Sequence, residues 1–155
     1  MGETSASELD EVTDAVLTAS RVLVAVASRS IAAVDASVTL PQFRALVVLD
    51  RADRKMGELA QELRVQSSTA TRLCDRLVAK RLVRRVVDPA NRREVTITLT
   101  PAGRRLVDEV TARRRREIAG IIERVPVRQR AAIVTALNAF RAAADEEPAV
   151  SSVLW

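Results

Sequence analysis

The residues of this chain best suited to chemistry are hydroxyls and guanidiniums at helical spacing. In SSTATRLCDRLVAKR, residues 67–81, a rotation of about 100° per residue gathers Ala70, Leu73, Cys74, Leu77 and Val78 on one arc. Ser68, Thr69, Arg72, Asp75, Arg76 and Ala79 occupy the other. Ser67 is a candidate N-cap, and Thr71 adds a further hydroxyl near the N-terminus. Small hydroxyls can approach and bond phosphates or base edges. The amides of a helix N-terminus favour an anion, and an arginine fork such as Arg72 or Arg76 matches guanine O6 and N7. This is recognition chemistry. Asp75 is the acid on that face, and pairing with Arg72 or a nearby base would hold the guanidinium in place. An ordinary amphipathic helix with a charged outer side has the same composition, so the neighbouring segments must decide.

The next segment, VDPANRREVTITL at 87–99, places Arg92 and Arg93 in a short turn between apolar runs. A hairpin tip ordinarily needs Gly, Asn or Asp for its bend. Two large cations there suit a tip that reaches a polyanion, whereas a solvated loop would need neither. Asp88 and Asn91 are expected to shape the turn, and Pro89 to stiffen its entry. From Arg64 to Arg93 there are nine basic and two acidic residues, a local surplus of +7 in a chain whose total is +5. The excess cation therefore sits in one segment, the electrostatic footprint of a polyanion binder.

The same inventory excludes much. The chain has no His and no Tyr, and its single cysteine, Cys74, lies on the apolar arc, so a cysteine nucleophile or a His-bearing metal site is not available. No cofactor is expected, and the function is not expected to be enzymatic. The acids Glu8, Asp10, Glu11 and Asp14 read as the solvated side of an N-terminal helix. No secretory leader is evident at the Ser- and acid-rich start. No apolar run approaches the ~20 residues needed to span a bilayer. A cytoplasmic protein with no membrane partner is the expectation.

Long helices must carry these elements. Leu9, Val12, Val16, Ala19, Leu23 and Val26 form a 3,4 seam on a helix expected over roughly 8–35. Thr39 with Gln42 three residues on is a capping-box pattern, with Pro41 in the first turn. MGELAQEL, 56–63, gives a short helix before 67–81. LVRRVV and EVTITL give two strands of a hairpin, the second with Val95, Ile97 and Leu99 alternating against polar residues. Thr100 and Pro101 start a long helix to about 125, and Pro126 separates a last one over about 127–145.

Helix, short helix, turn, helix and hairpin are the order of a winged helix-turn-helix. GELAQELRVQSSTATRLCDRLVAKRLVRRVVDPANRREVTITLTPAG resembles the winged-helix core of the multiple-antibiotic-resistance regulator (MarR) family, and TLPQFRALVVL resembles the helix that precedes it there. The resemblance covers about 38–106, with Leu99, Thr100 and Gly103 in L-T-x-x-G its most specific part. It implies a mainly α fold with a small β-hairpin, a winged helix-turn-helix flanked by long N- and C-terminal dimerisation helices. The corresponding division is 1–37 for the N-terminal dimerisation helix, 38–100 for the DNA-binding domain, and 101–155 for the C-terminal dimerisation helices and tail. It further implies a homodimer on double-stranded, pseudo-palindromic DNA, usually as a repressor. Many members release DNA when a small, often aromatic and anionic effector or an oxidant arrives. The ligand crevice of the family would fall near Phe43 and the first and fifth helices. The oxidant route has no candidate here, because the family's peroxide sensors use a cysteine in the N-terminal helix and this chain has none.

DNA-binding residues expected on this basis are Ser67, Ser68, Thr69, Thr71, Arg72, Arg76, Arg92 and Arg93. Arg93 matches the family's wing arginine and is expected in the minor groove, with Arg92 at phosphate. The sequence departs from the family at three places. Asn91 stands where the family commonly has the Asp of a wing D-x-R pair. Arg64 and Arg81 stand where glycine is frequent because the backbone needs positive φ. The remaining alternative is a helical interaction module with an acidic protein partner. Such a module has no use for an Arg-tipped hairpin beside a Ser/Thr/Arg helix. The run Arg113–Arg116 fans around its helix and is expected on a solvated surface.

Overall fold

The structure is a computed structural model that describes residues 2–87 and 95–144, with side chains from residue 6 onward. Its elements are α1 (Gly2–Val34), α2 (Leu40–Arg51), β1 (Arg54–Lys55), α3 (Met56–Glu62), α4 (Ser67–Ala79), β2 (Val83–Val87), β3 (Val95–Leu99), α5 (Pro101–Glu123) and α6 (Val127–Ala143). The chain is mainly helical, and the expected two-stranded hairpin is in fact a three-stranded antiparallel sheet of order β1-β3-β2. Arg54 and Lys55 pair with Ile97 and Thr96, so the start of α3 is stitched to the wing. Two residues are too few for any alternation to announce a strand. Residues 88–94, where the sequence placed the turn with Asp88, Asn91, Arg92 and Arg93, and residues 145–155 lie outside the described residues.

One apolar core unites the winged unit. Leu46, Leu49, Leu59, Leu77, Val83, Ile97, Val107 and Val110 are fully enclosed, and Ile31 brings the end of α1 into the same cluster. The capping predictions hold. Thr39 Oγ1 accepts from the Gln42 amide at 3.4 Å while Gln42 Oε1 accepts from the Thr39 amide at 3.0 Å. Ser67, in contrast, is the first helical residue of α4, and Gln66 is its N-cap with no side-chain capping bond.

L-T-x-x-G has a physical reason. Thr100 caps α5 by accepting from the Gly103 amide at 3.1 Å, and its hydroxyl lies 2.8 and 3.0 Å from the Arg81 and Leu82 carbonyl oxygens. The Thr100 amide also donates to the Leu82 carbonyl at 3.0 Å. A Cβ on Gly103 would stand 2.2 Å from that carbonyl oxygen and 2.7 Å from Leu99 Cδ1. Only glycine lets α5 start so close to the end of α4.

Arg64 and Arg81 have φ of +54° and +58°, the left-handed conformation anticipated from their glycine-like positions. Each follows a helix in a Schellman turn. The Val65 amide donates to Ala60 O and the Arg64 amide to Gln61 O; Leu82 to Leu77 O and Arg81 to Val78 O repeat the pattern. The turn sends Val65 and Leu82 back onto the core. Relative to glycine, each arginine gives up as much as ~1 kcal/mol to backbone strain.

The outer helices differ from the core. Leu9, Val12, Leu17 and Leu23 of α1 and Val127, Val134, Leu137 and Phe140 of α6 are exposed, and α6 buries no residue at all. Of the α1 seam only Val26 is fully enclosed within the chain. Over Ala6–Val34, α1 is long and apolar enough by length and composition to cross a membrane, which corrects the expectation drawn from uninterrupted apolar runs. The hydropathy is spread among Ala, Val, Leu and Ile that alternate with Ser and Thr, and is not concentrated in one block. Arg114 is a second correction: it is 9% exposed and not solvated like Arg113, Arg115 and Arg116.

Candidate nucleic-acid interface

α4 presents two opposed faces. Ala70, Cys74 and Leu77 are buried with Leu73 and Val78 half-buried, while Ser67, Ser68, Thr69, Thr71, Arg72, Asp75, Arg76 and Ala79 are exposed. This is the division read from the sequence. Arg72 and Arg76 form no ion pair with any described residue, so both forks are open to an external acceptor. The Thr71 hydroxyl donates to Ser67 O at 2.9 Å and keeps its lone pairs for an outside donor. The helix begins with no acid in its first turn, leaving its N-terminal amides and dipole uncancelled.

Asp75 does not pair with Arg72. Its carboxylate takes a hydrogen-bonded ion pair from Arg85 on β2. Arg72 lies three residues back along the helix, but the antiparallel wing brings Arg85 across the exposed side of α4, with Arg85 opposite Ile97 in the ladder. Both groups are well exposed, so the pair adds little stability. It does neutralise the carboxylate on the exposed face of α4 and fixes β2 to that helix. Sequence reasoning offered a nearby base as the alternative to Arg72, but could not name Arg85, because nothing local links positions 75 and 85.

A second tie sits at the other end of α4. The Lys80 ammonium donates to Ser37 Oγ, whose hydroxyl in turn donates to Asp35 Oδ1 at 2.6 Å; the Ser37 amide donates to the same oxygen at 2.8 Å. These Ser37 bonds, and then the Lys80 charge, hold the Asp35 carboxyl below its ordinary pKa, against the opposing effect of partial burial. The turn between α1 and α2 is thereby linked to the C-terminal end of α4. Elsewhere Arg29 of α1 pairs with Glu117 of α5, and Arg104 Nη1 meets Asp50 Oδ1 at 2.7 Å.

Cys74 is fully enclosed, and burial pushes its thiol up to about 11. It is a core group, not a nucleophile at neutral pH. Among the described residues no cluster of three His, Cys, Asp or Glu could hold a metal ion. Phe43, placed by sequence near a ligand crevice, is 2% exposed inside the core and offers no face to a ligand in this conformation. Arg92, Arg93, Asp88 and Asn91 lie outside the described residues.

Residues 36–94 match the model of the MarR family. The crystal structure of RV1404 from Mycobacterium tuberculosis is 45% identical, superposes with a TM-score of 0.83, and the match covers 92% of this chain and 97% of that one. BpsR of Bordetella bronchiseptica, whose structure bears on regulation of its DNA binding by 6-hydroxynicotinic acid, is 28% identical with a TM-score of 0.64, over 88% of this chain and 94% of that one. The uncharacterized HTH-type transcriptional regulator YsmB of Bacillus subtilis is 40% identical over 88 residues. That match takes in 56% of this chain and spans 60% of the length of the curated relative.

Proposed function

The chain belongs to the MarR family of transcriptional regulators, and from that premise we propose that it is a homodimeric repressor that reads a pseudo-palindromic operator through α4 and the wing. The observation that carries this reading is the exposed face of α4. It offers hydroxyls at an uncapped N-terminus, two open arginine forks, and one acid already neutralised by Arg85. Arg72 is the first choice for a base contact, Arg76 and Ser67, Ser68, Thr69 and Thr71 flank it, and Arg92 and Arg93 extend the contact to phosphate and minor groove. Residues 1–37 and 101–155 would form the dimerisation region around the DNA-binding unit 38–100. The exposed apolar faces of α1 and α6 support this: a second copy would cover them, and for α1 it explains the apolar composition without a bilayer. A cytoplasmic location follows for a protein whose partner is the genome.

Release by a small effector is the finer part of the reading. The hydroxyls of Ser30 on α1 and Thr111 on α5 are buried without a hydrogen-bond partner among the described residues. Such groups suit a small anion, and BpsR is a family relative regulated by one. Sequencing the DNA fragments retained by the purified protein from its own genome tests the function. One enriched pseudo-palindrome is the expected result, and retention no better than that of a random pool would overturn it.

A further inference from the structure

The two arginines held at positive φ bracket α4, and they differ in what surrounds them. We propose that Arg64 is a phosphate contact at the entrance to the reading helix, fixing the DNA backbone beside the Ser67–Thr69 end of α4. The inference rests on the DNA-binding reading above. The Schellman turn at Arg64 needs only backbone: two amide bonds to Ala60 and Gln61, and Val65 turned inward. Its side chain plays no part in that turn, and glycine would serve the turn with less strain. The guanidinium is exposed and meets no partner among the described residues, and the nearest acid in sequence, Glu62, is already committed to Arg54. Contacts described within the chain give no reason for an arginine here, and its setting supplies one.

Position names the ligand. Arg64 stands two residues before Gln66, the N-cap of α4, next to the free amides of a first turn that carries no acid. A phosphate drawn to those amides would lie within reach of a guanidinium fork, which grips it through two parallel hydrogen bonds. Arg81 has the same backbone and the same charge but a different setting. Its carbonyl accepts from Thr100 at the start of α5, and its neighbour Lys80 reaches Ser37 in the turn after α1. The backbone at that end of α4 is tied to α5 and to the turn after α1, although the Arg81 side chain is exposed. Arg81 is therefore the internal reference for removing one charge and one strained arginine.

The test compares R64G, R81G and R64K with wild type on an operator recovered as above and on a scrambled duplex, across about 50–300 mM salt. R64G is expected to melt no lower than wild type and to weaken both duplexes by the same factor, about tenfold. Each phosphate contact contributes about 0.9 to the slope of log affinity against log salt, so a two-site complex should lose about 2. R81G should leave that slope near the wild-type value, and R64K should keep most of the slope with part of the affinity. A slope in R64G equal to that in R81G would overturn the contact while leaving the DNA reading intact. So would a loss confined to the operator. Wild-type protein with no salt-dependent binding would overturn both.

Discussion

The winged unit and the helical arms are both rich in Leu, Val, Ile and Ala, yet they end in opposite states. In the winged unit, caps are satisfied, turns are locked, and apolar residues from α2, α3, α4, β2, β3 and α5 close on one another. In the arms, Leu9 of α1 is 67% exposed and Phe140 of α6 is 55% exposed, although both sit on orderly helices. Periodicity makes a helix amphipathic, but it does not say whether the partner for the apolar face lies in the same chain. The first region is complete alone and the second is complete only when something else is added.

The largest expected effect attacks the arms. Replacing Leu137 and Phe140 together by Glu would place carboxylates on the face assigned to the second copy. Sedimentation at micromolar concentration should then give a monomer mass, operator affinity should fall by at least ~100-fold, and far-UV helicity of the winged unit should persist. A wild type that is already monomeric at that concentration would remove the distinction between the regions. Within the core, Gly103→Ala forces a Cβ against the Leu82 carbonyl and should cost at least ~2 kcal/mol in denaturant unfolding, in the range of overpacked sites or beyond. A neutral result would mean that α5 can slide away from α4 and that the core is less closed than described.

Smaller effects separate reading from folding. Arg72→Ala should cost ~1–3 kcal/mol per half-site on the operator and relax one base position, with unchanged melting; equal losses on random DNA would make it a phosphate contact. Arg93→Ala should weaken operators with A·T flanks more than the same core with G·C flanks, by roughly a kcal/mol or less, and identical losses would return the tip to a solvated loop. Smallest is a pH effect on Cys74. Burial raises its thiol above the ordinary cysteine range to about 11 in the folded state, so the native state holds the proton more tightly than the unfolded state. Stability from this group is complete below about pH 9 and declines as pH rises towards 11. Cys74→Ala should flatten that decline relative to wild type, whatever its own packing cost.

What the sequence disclosed follows the range of the forces involved. Thr39, Gln42 and Thr100 act within three or four residues, so their caps could be read directly, as could the two arcs of α4, whereas the left-handed turns at Arg64 and Arg81 were implied only by the resemblance, through the glycines frequent there. Asp75 with Arg85, and β1 with β3, were set by how elements dock, and no local spacing encodes them. Arg114 failed for a related reason. A run of four arginines must point one of them inward when a helix lies against a core on one side, and α5 does so with Val107 and Val110 on the same inner side. Ser67 was displaced by a single residue because Gln66 already occupies the extended position that ends the preceding turn.

The close seat of Gly103 also has a mechanical consequence. With Thr100 and Leu82 joined at the base of α5, the end of the reading helix and the start of that 23-residue helix move as one piece. At 1.5 Å per residue the helix is a lever of about 34 Å. A tilt of about 6° at its far end, of the size a bound effector or a repacked subunit contact could impose, swings the reading helix by about 3.5 Å, close to the 3.4 Å rise of one base pair. In the proposed symmetric dimer the two displacements would add, so a small change among the arms would put the two α4 helices nearly two steps out of register with the proposed half-sites.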